Sequence, residues 1–213
     1  MSPIKIYGFR FSSCTRRVAL ICKELQVPYE LITVDISKGE QRTPAHLARQ
    51  PFGVVPAIED DGLELFESRA ICRYLVAKYG PTSTLVPDHK DIIATAKFEQ
   101  AASIENNNFD PMGGQIMLEL VMKPARGGQT DQEHLKSVLA TMNSKLDAYE
   151  TILSKQKYLA GDTVTIADLF HLPWAYGLTE KANLDLITSR PSVARWYQDI
   201  SARPAWQAVK DGA

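Results

Sequence analysis

Three short stretches hold residues whose types and spacing could do chemistry. The first is Ser12-Ser13-Cys14-Thr15, at the start of an apolar-striped segment. A helix start gathers free N–H groups and the positive end of the dipole. A hydroxyl there is either a cap on the helix or a donor aimed at an anion. No His or Asp lies nearby in sequence to activate a serine, so such a hydroxyl would donate a hydrogen bond rather than attack. The second stretch is Val54-Val55-Pro56. A proline in a strand-like run removes a ladder donor and belongs at an edge or in a special turn. It is either an ordinary trans edge proline or a cis one. In the cis form the backbone N–H and C=O of Val55 would face outward, free to pair with an extended peptide. The third is Glu67-Ser68, opening another helical stripe. Ser68 reads as its N-cap. The same free N–H groups could hold a carboxylate while Glu67 holds an ammonium, and together they would bind an α-amino acid group.

Other candidates read as structural. Thr165-Ile166-Ala167-Asp168 has the spacing of a capping box, with Thr165 capping the third residue and Asp168 reaching back. His171 reads as a packed or surface histidine. His46, His89 and His134 have no evident partner and read as solvated. Cys14, Cys22 and Cys72 are an odd count without a CxxC pair, neither a disulfide framework nor a zinc site, so no metal is expected.

These residues need elements to position them. Ile4 and Ile6 alternate with polar neighbours and end at Gly8, which predicts a strand. Val18, Ile21, Cys22 and Leu25 fall on one helical stripe that Pro28 stops. The β-branched run Tyr29–Ile36 predicts a second strand, parallel to the first through a right-handed crossover. Thr43-Pro44 opens a short helix to about Arg49. Val54–Ile58 reads as a strand, Asp61-Gly62 as a hairpin turn, and Leu63–Phe66 as the returning strand. The helix from Ser68 is expected to end at Gly80-Pro81, a C′ glycine before a proline. From Thr82 the pattern changes. Beyond a proline-bearing linker only helical periods remain, broken at 124–130, at 160–162 and around 183–191. The expected organisation is an α/β domain over 1–80, a linker over 81–89 and an all-α domain over 90–213.

Composition agrees with a globular protein. Of 213 residues, 45% are hydrophobic, enough for a sizeable core. Lys and Arg number 24 against 25 Asp and Glu, which gives no electrostatic reason to expect a nucleic-acid or polybasic membrane partner. Residues 1–10 lack a basic region followed by an apolar one, and no run approaches a membrane span. A cytoplasmic protein with reduced thiols is expected.

FSSCTRR at 11–17, PFGVVPAIEDDG at 51–62 and LFESRAI at 65–71 resemble the N-terminal domain of glutathione S-transferases, most of all the phi class of plants and fungi. NFDP at 108–111 and KYLAGDTVTIADL at 157–169 resemble the helical domain of that class. The resemblance implies a thioredoxin-like α/β N-terminal domain with a cis Pro56, an all-α C-terminal domain and a homodimer. It implies glutathione as co-substrate and no permanently bound cofactor. Ser12 matches the catalytic serine. Val55 matches the residue that pairs its backbone with the cysteinyl part of glutathione, and Glu67 and Ser68 match those holding the γ-glutamyl end. Where phi enzymes commonly carry His-Lys this chain has Gln41-Arg42, and Arg42 still supplies a cation for the glycyl carboxylate. Where they commonly carry Gln before the cysteinyl-pairing residue it has Val54, so one side-chain hydrogen bond is missing. Leu118 and Met122, with Phe11 and Tyr176, are the candidates for a pocket that takes hydrophobic electrophiles. Phe52, a large apolar residue in a polar loop, is the candidate for insertion into a partner subunit.

The implied activity is conjugation of the glutathione thiolate to hydrophobic electrophiles, with glutathione peroxidase activity as a second reaction of the same thiolate. Two alternatives differ in kind. One is a thiol transferase using Cys14, although Cys14 lies two residues beyond Ser12, where its side chain is expected to point away from the sulfur. The other is a carrier of hydrophobic ligands with little turnover. Ser13 could share the role of Ser12.

Overall fold

A computed structural model describes residues 3–213. They fall into two compact units, one of 3–83 with 203–213 and one of 84–202.

The first unit is built on a four-stranded sheet: β1 (Ile4–Gly8), β2 (Tyr29–Thr33), β3 (Ala57–Asp60) and β4 (Leu63–Phe66), in the order β2-β1-β3-β4. β1 runs parallel to β2 in the register Ile4↔Tyr29 to Gly8↔Thr33, and antiparallel to β3 with Tyr7 opposite Ala57. The parallel pair follows from the crossover helix α1 (Ser13–Glu24). The antiparallel pair β3–β4 follows from the Asp61-Gly62 hairpin, where both residues have positive φ. Ile4, Ile6 and Ile58 are fully buried with Val18, Ile21 and Cys22 of α1 and Ile71, Cys72 and Leu75 of α3 (Ser68–Tyr79). The expected stripes therefore do form the core. α2 (Pro44–Arg49) begins as read, with the Thr43 side chain accepting from the His46 N–H.

Four expectations shift. β2 stops at Thr33 rather than Ile36, because β1 ends at Gly8 and offers no further partner. β3 starts at Ala57 rather than Val54 and runs on to Asp60; Pro56 has no N–H to contribute to a ladder. The N-cap of α3 is Glu67, at φ 69°, and Ser68 is the first helical residue with no capping bond. Gly80 does end α3, but at φ −128°, so left-handed backbone is not why glycine stands there. A Cβ at Gly80 would sit 2.5 Å from Leu25 Cδ2; glycine lets the end of α3 close on the end of α1.

The second unit is helical. Residues 92–125 run without a non-helical break: α4 (Ile92–Ile104), a π turn (Glu105–Phe109), α5 (Asp110–Met117), a second π turn (Leu118–Met122) and α6 (Lys123–Ala125). α7 (Gln132–Leu153) follows, capped by Asp131. Then come α8 (Ile166–Leu169), α9 (Leu172–Tyr176), a third π turn (Gly177–Lys181) and α10 (Pro191–Ser201). The breaks fall near the expected ones: 126–131 holds Gly127 and Gly128, 154–165 holds Gly161, and 182–190 ends where Pro191 opens α10. The core gathers Phe98, Phe109, Tyr149, Phe170 and Trp196. At its centre Asp168 closes the expected capping box and also accepts from Leu159 N (2.9 Å) and Trp196 Nε1 (3.0 Å). His171 is wholly buried, its Nδ1–H donating to Ala167 O (2.9 Å) while Nε2 accepts from the Tyr149 hydroxyl (2.9 Å).

Residues 203–213, expected within the helical domain, pack instead on the first unit. α11 (Pro204–Gln207) lies against α1 and buries Trp206. Arg203 makes two 2.7 Å bonds to Glu24, Arg16 donates to Lys210 O, and Ala213 N donates to Arg10 O.

Candidate active site

The sheet register places the three chemical stretches of the first unit at one end. Tyr7 opposes Ala57 and Ala57 opposes Phe66. The turn leaving β1, the approach to β3 and the exit from β4 therefore share one edge, and these carry Ser12, Val55-Pro56 and Glu67-Ser68.

Ser12 is the N-cap of α1 and half-buried. Its Oγ accepts one long bond, 3.4 Å, from Thr15 N, and its hydroxyl proton has no acceptor among the described residues. Ser13 is the first helical residue, its hydroxyl turned to the Cys14 sulfur at 4.0 Å. The turn is tight: a Cβ at Gly8 would lie 2.6 Å from Thr15 Cγ2. Cys14 is partly buried, and Cys22 and Cys72 fully so. Burial pushes the Cys22 thiol up to about 12 and raises Cys72 further, which leaves both inert.

Ser68 is buried, and its Oγ accepts from Arg17 Nη1 at 2.9 Å. Arg17 is wholly buried, and the same Nη1 lies 3.5 Å from Cys14 Sγ. It ties the start of α1 to the start of α3 and adds a cation beside free helix N–H groups, the setting an anion favours. Glu67 is exposed beside it.

The Val55–Pro56 bond is cis. Val55 forms no rung of the ladder, since β3 pairing begins at Ala57. His46 is buried, and its Nε2–H donates to Val54 O at 2.8 Å. The solvated reading of His46 is thus corrected: α2 packs it under the loop and its one donor holds the residue before Val55. His89 and His134 are exposed. Gln41 and Arg42 lie in a 3₁₀ turn (Glu40–Arg42) after Gly39. The Arg42 stem runs over Gly53, where a Cβ would lie 3.0 Å from Arg42 Cδ, so the pair sits beside the loop to Val55. Gln41 Oε1 is buried without a hydrogen-bond partner among the described residues. Phe52 is 68% exposed and meets Phe66 edge-on at 6.2 Å.

Of the apolar candidates, Phe11 belongs to the first unit, 58% exposed and edge-on to Phe9. Leu118, Met122 and Tyr176 belong to the second. Leu118 and Met122 stand on a π turn rather than on a regular helix, and Leu118 is exposed. Tyr176 is buried at the end of α9, where that helix and the following π turn pack on α5 and Gly177 closes on Met117. Sequence reasoning missed Arg17 and Glu119 and misread His46; Arg17 bonds Ser68, His46 bonds the residue before Val55, and Glu119 is a buried acid beside Leu118. Among the described residues no cluster of His, Cys, Asp or Glu could hold a metal, and no helix is long and apolar enough to cross a membrane.

Models of the glutathione S-transferase N-terminal domain and C-terminal domain match residues 2–77 and 109–204. Glutathione S-transferase PM239X14 of Arabidopsis thaliana is 46% identical, with 92% of this chain and 91% of that protein covered. Glutathione S-transferase hmp2 of Hypomyces subiculosus is 42% identical, with 95% of each covered. Glutathione transferase F1 of poplar superposes with a TM-score of 0.92 at 37% identity, over 99% of this chain and 98% of that one. The maize glutathione S-transferase I, solved with an atrazine glutathione conjugate, superposes with a TM-score of 0.91 at 32% identity, over 99% and 97%. The chain belongs to the glutathione S-transferase family, on its phi-class branch.

Proposed function

We propose that this chain conjugates the thiolate of glutathione to hydrophobic electrophiles, with Ser12 donating a hydrogen bond to the sulfur. The observation that carries the reading is the convergence of Ser12, Val55 and Glu67-Ser68 at one end of the sheet. In this reading Ser68 and the start of α3 take the γ-glutamyl carboxylate, with the Arg17 cation behind them, and Glu67 takes the ammonium. Val55 pairs its backbone with the cysteinyl residue. Arg42 supplies the charge contact to the glycyl carboxylate and the Gln41 amide donates to it through its NH2, while the buried Gln41 Oε1, itself an acceptor, takes nothing from that carboxylate.

The energetics are sufficient. A free thiol has a pKa of about 8.5. Lowering it by about two units requires about 2.7 kcal/mol of preferential anion stabilisation. A hydrogen bond to a charged group supplies roughly 1.5–3 kcal/mol, and the start of α1 adds roughly 0.3–1 kcal/mol. No metal or general base is needed. Phe11, Leu118, Met122 and Tyr176 would face the electrophile; an aryl halide is the chemical type suggested by the triazine conjugate of the maize relative. The same thiolate could reduce an organic hydroperoxide, releasing the alcohol and leaving a sulfenic form that a second glutathione converts to the disulfide and water.

The reading includes a cytoplasmic homodimer without a resident cofactor. Phe52 supports the dimer: an exposed ring of this size gains roughly 1.5–3 kcal/mol on burial in a partner. Steady-state conjugation of glutathione to a chloronitrobenzene-type electrophile separates enzyme from carrier. Binding without turnover would make the carrier reading right. Loss of activity in Cys14→Ser, with Ser12→Ala active, would favour the thiol-transferase reading.

A further inference from the structure

We infer that Glu119 is a positioning residue for electrophile selection, locking the π turn that presents Leu118 and Met122; this rests on the reading that those two side chains line the electrophile site. The burial pattern of the turn is inverted. Leu118 is 37% exposed, while the neighbouring Glu119 is 2% exposed. Folding alone favours the opposite arrangement, since an unpaired buried carboxylate is costly and a buried Leu is favourable. An inverted local rule marks a functional site, and π turns recur at such sites.

The backbone explains what Glu119 does. In an α-helix the Lys123 N–H would bond the Glu119 carbonyl. Here it reaches one residue further back, to Leu118 O. The next residue, Pro124, has no N–H to give. The Glu119 carbonyl takes its bond instead from the Thr130 hydroxyl at 2.8 Å. The Glu119 carboxylate accepts from Lys123 Nζ through Oε1 and from the Asp131 N–H through Oε2 at 2.9 Å. Asp131 in turn caps α7 through the His134 N–H. Main chain and side chain of one residue therefore clamp the π turn to the segment 126–131 and to the first turn of α7. The bond from Lys123, then that from Asp131, hold the Glu119 carboxyl below its ordinary range, so it stays charged and the clamp closed near neutral pH.

The test is steady-state kinetics of the full-length chain with a series of electrophiles of increasing bulk. Glu119→Ala is expected to raise electrophile KM about tenfold and to reorder the series, while glutathione KM stays within about twofold, the pattern of a misplaced pocket wall. Thr130→Val should move the same quantities in the same direction. Glu119→Gln, which keeps an acceptor for the Asp131 N–H, should restore part of the loss. Leu118→Ala and Met122→Ala test the underlying reading: if neither changes any electrophile KM, the pocket assignment fails. If they do change it while Glu119→Ala and Thr130→Val remain at wild-type values, the pocket stands and the role of Glu119 is overturned. Equal rises in both KM values would also overturn it, since general loosening would then suffice. If Glu119→Ala does not fold, Thr130→Val decides.

Discussion

Ser12→Ala removes one hydroxyl from the cap of α1, and its effects on fold and on chemistry separate cleanly. The cap bond it loses is the long 3.4 Å contact to Thr15 N. Such a loss costs about 0.5–1 kcal/mol. Ser13 cannot replace it, because it is the first helical residue with its hydroxyl turned to Cys14. The backbone bond from Arg16 N to Ser12 O is indifferent to the side chain and remains. The protein should therefore stay folded. The chemical loss is larger: a hydrogen bond to a charged sulfur is worth roughly 1.5–3 kcal/mol. That converts to a rise of about one to two units in the pKa of bound glutathione. The assay is the pH profile of kcat/KM for glutathione, paired with the ultraviolet absorbance of the bound thiolate. On the acid side the rate should fall about ten- to hundredfold. The two profiles should converge at alkaline pH, where the thiolate forms unaided. A uniform drop at every pH would refute the reasoning, because it would mean that Ser12 acts on something other than ionisation. Ser12→Cys should weaken conjugation and confer thiol-transfer activity.

Asp168→Ala strips four partners from one buried carboxylate. It should cost about 3 kcal/mol or more, seen as a thermal midpoint lower by about 6–12 °C; an unchanged midpoint would contradict the central role given to it. His171 is held neutral by burial against the opposing pull of Glu105 and Asp168, so its folded pKa lies below the unfolded value of about 6.5. The unfolded chain takes the proton first, so its stabilising contribution is present above that pH and lost as pH falls below it; urea midpoints of the wild type should decline there more steeply than those of His171→Phe. Phe52→Ala should weaken the proposed dimer measured by light scattering, and an unchanged dissociation constant sinks the insertion. Arg42→Ala should raise glutathione KM with little change in kcat, because an exposed side chain contributes binding shared by ground and transition states; a large fall in kcat at constant KM would show the assignment to be wrong.

The elements of the first unit are legible in sequence because its signals are local. Pro28, the Asp61-Gly62 turn and the Thr43-Pro44 helix start each act through one or two residues, and the apolar stripes of α1 and α3 carry the 3.6-residue period. What escapes depends on partners remote along the chain. Arg17 meets Ser68 across 51 positions, and nothing near either residue announces the other. His46 reads as solvated because its carbonyl acceptor at Val54 belongs to a loop of no regular period. Leu118 and Met122 look like an ordinary i, i+4 pair. The π turn that carries them arises from a hydrogen-bond register shifted by one residue and from Pro124, too small a displacement to register in hydrophobic spacing. Their neighbour Glu119 hides for the same reason, a charge that a helical wheel places in solvent.

Residues 203–213 complete the first unit only after the whole of 84–202 has been made. Trp206 then covers α1, with Arg203 closing on Glu24 and Lys210 receiving Arg16. During synthesis α1 waits with that face uncovered while the helical unit is still emerging. A fragment cut at the junction near Ser83 would keep Ser12, Val55 and Glu67-Ser68 yet lack the closing piece of their unit. A circular permutant that fuses 203–213 ahead of β1 would supply that piece from the start, and such a chain should gain a first unit able to fold before the second exists.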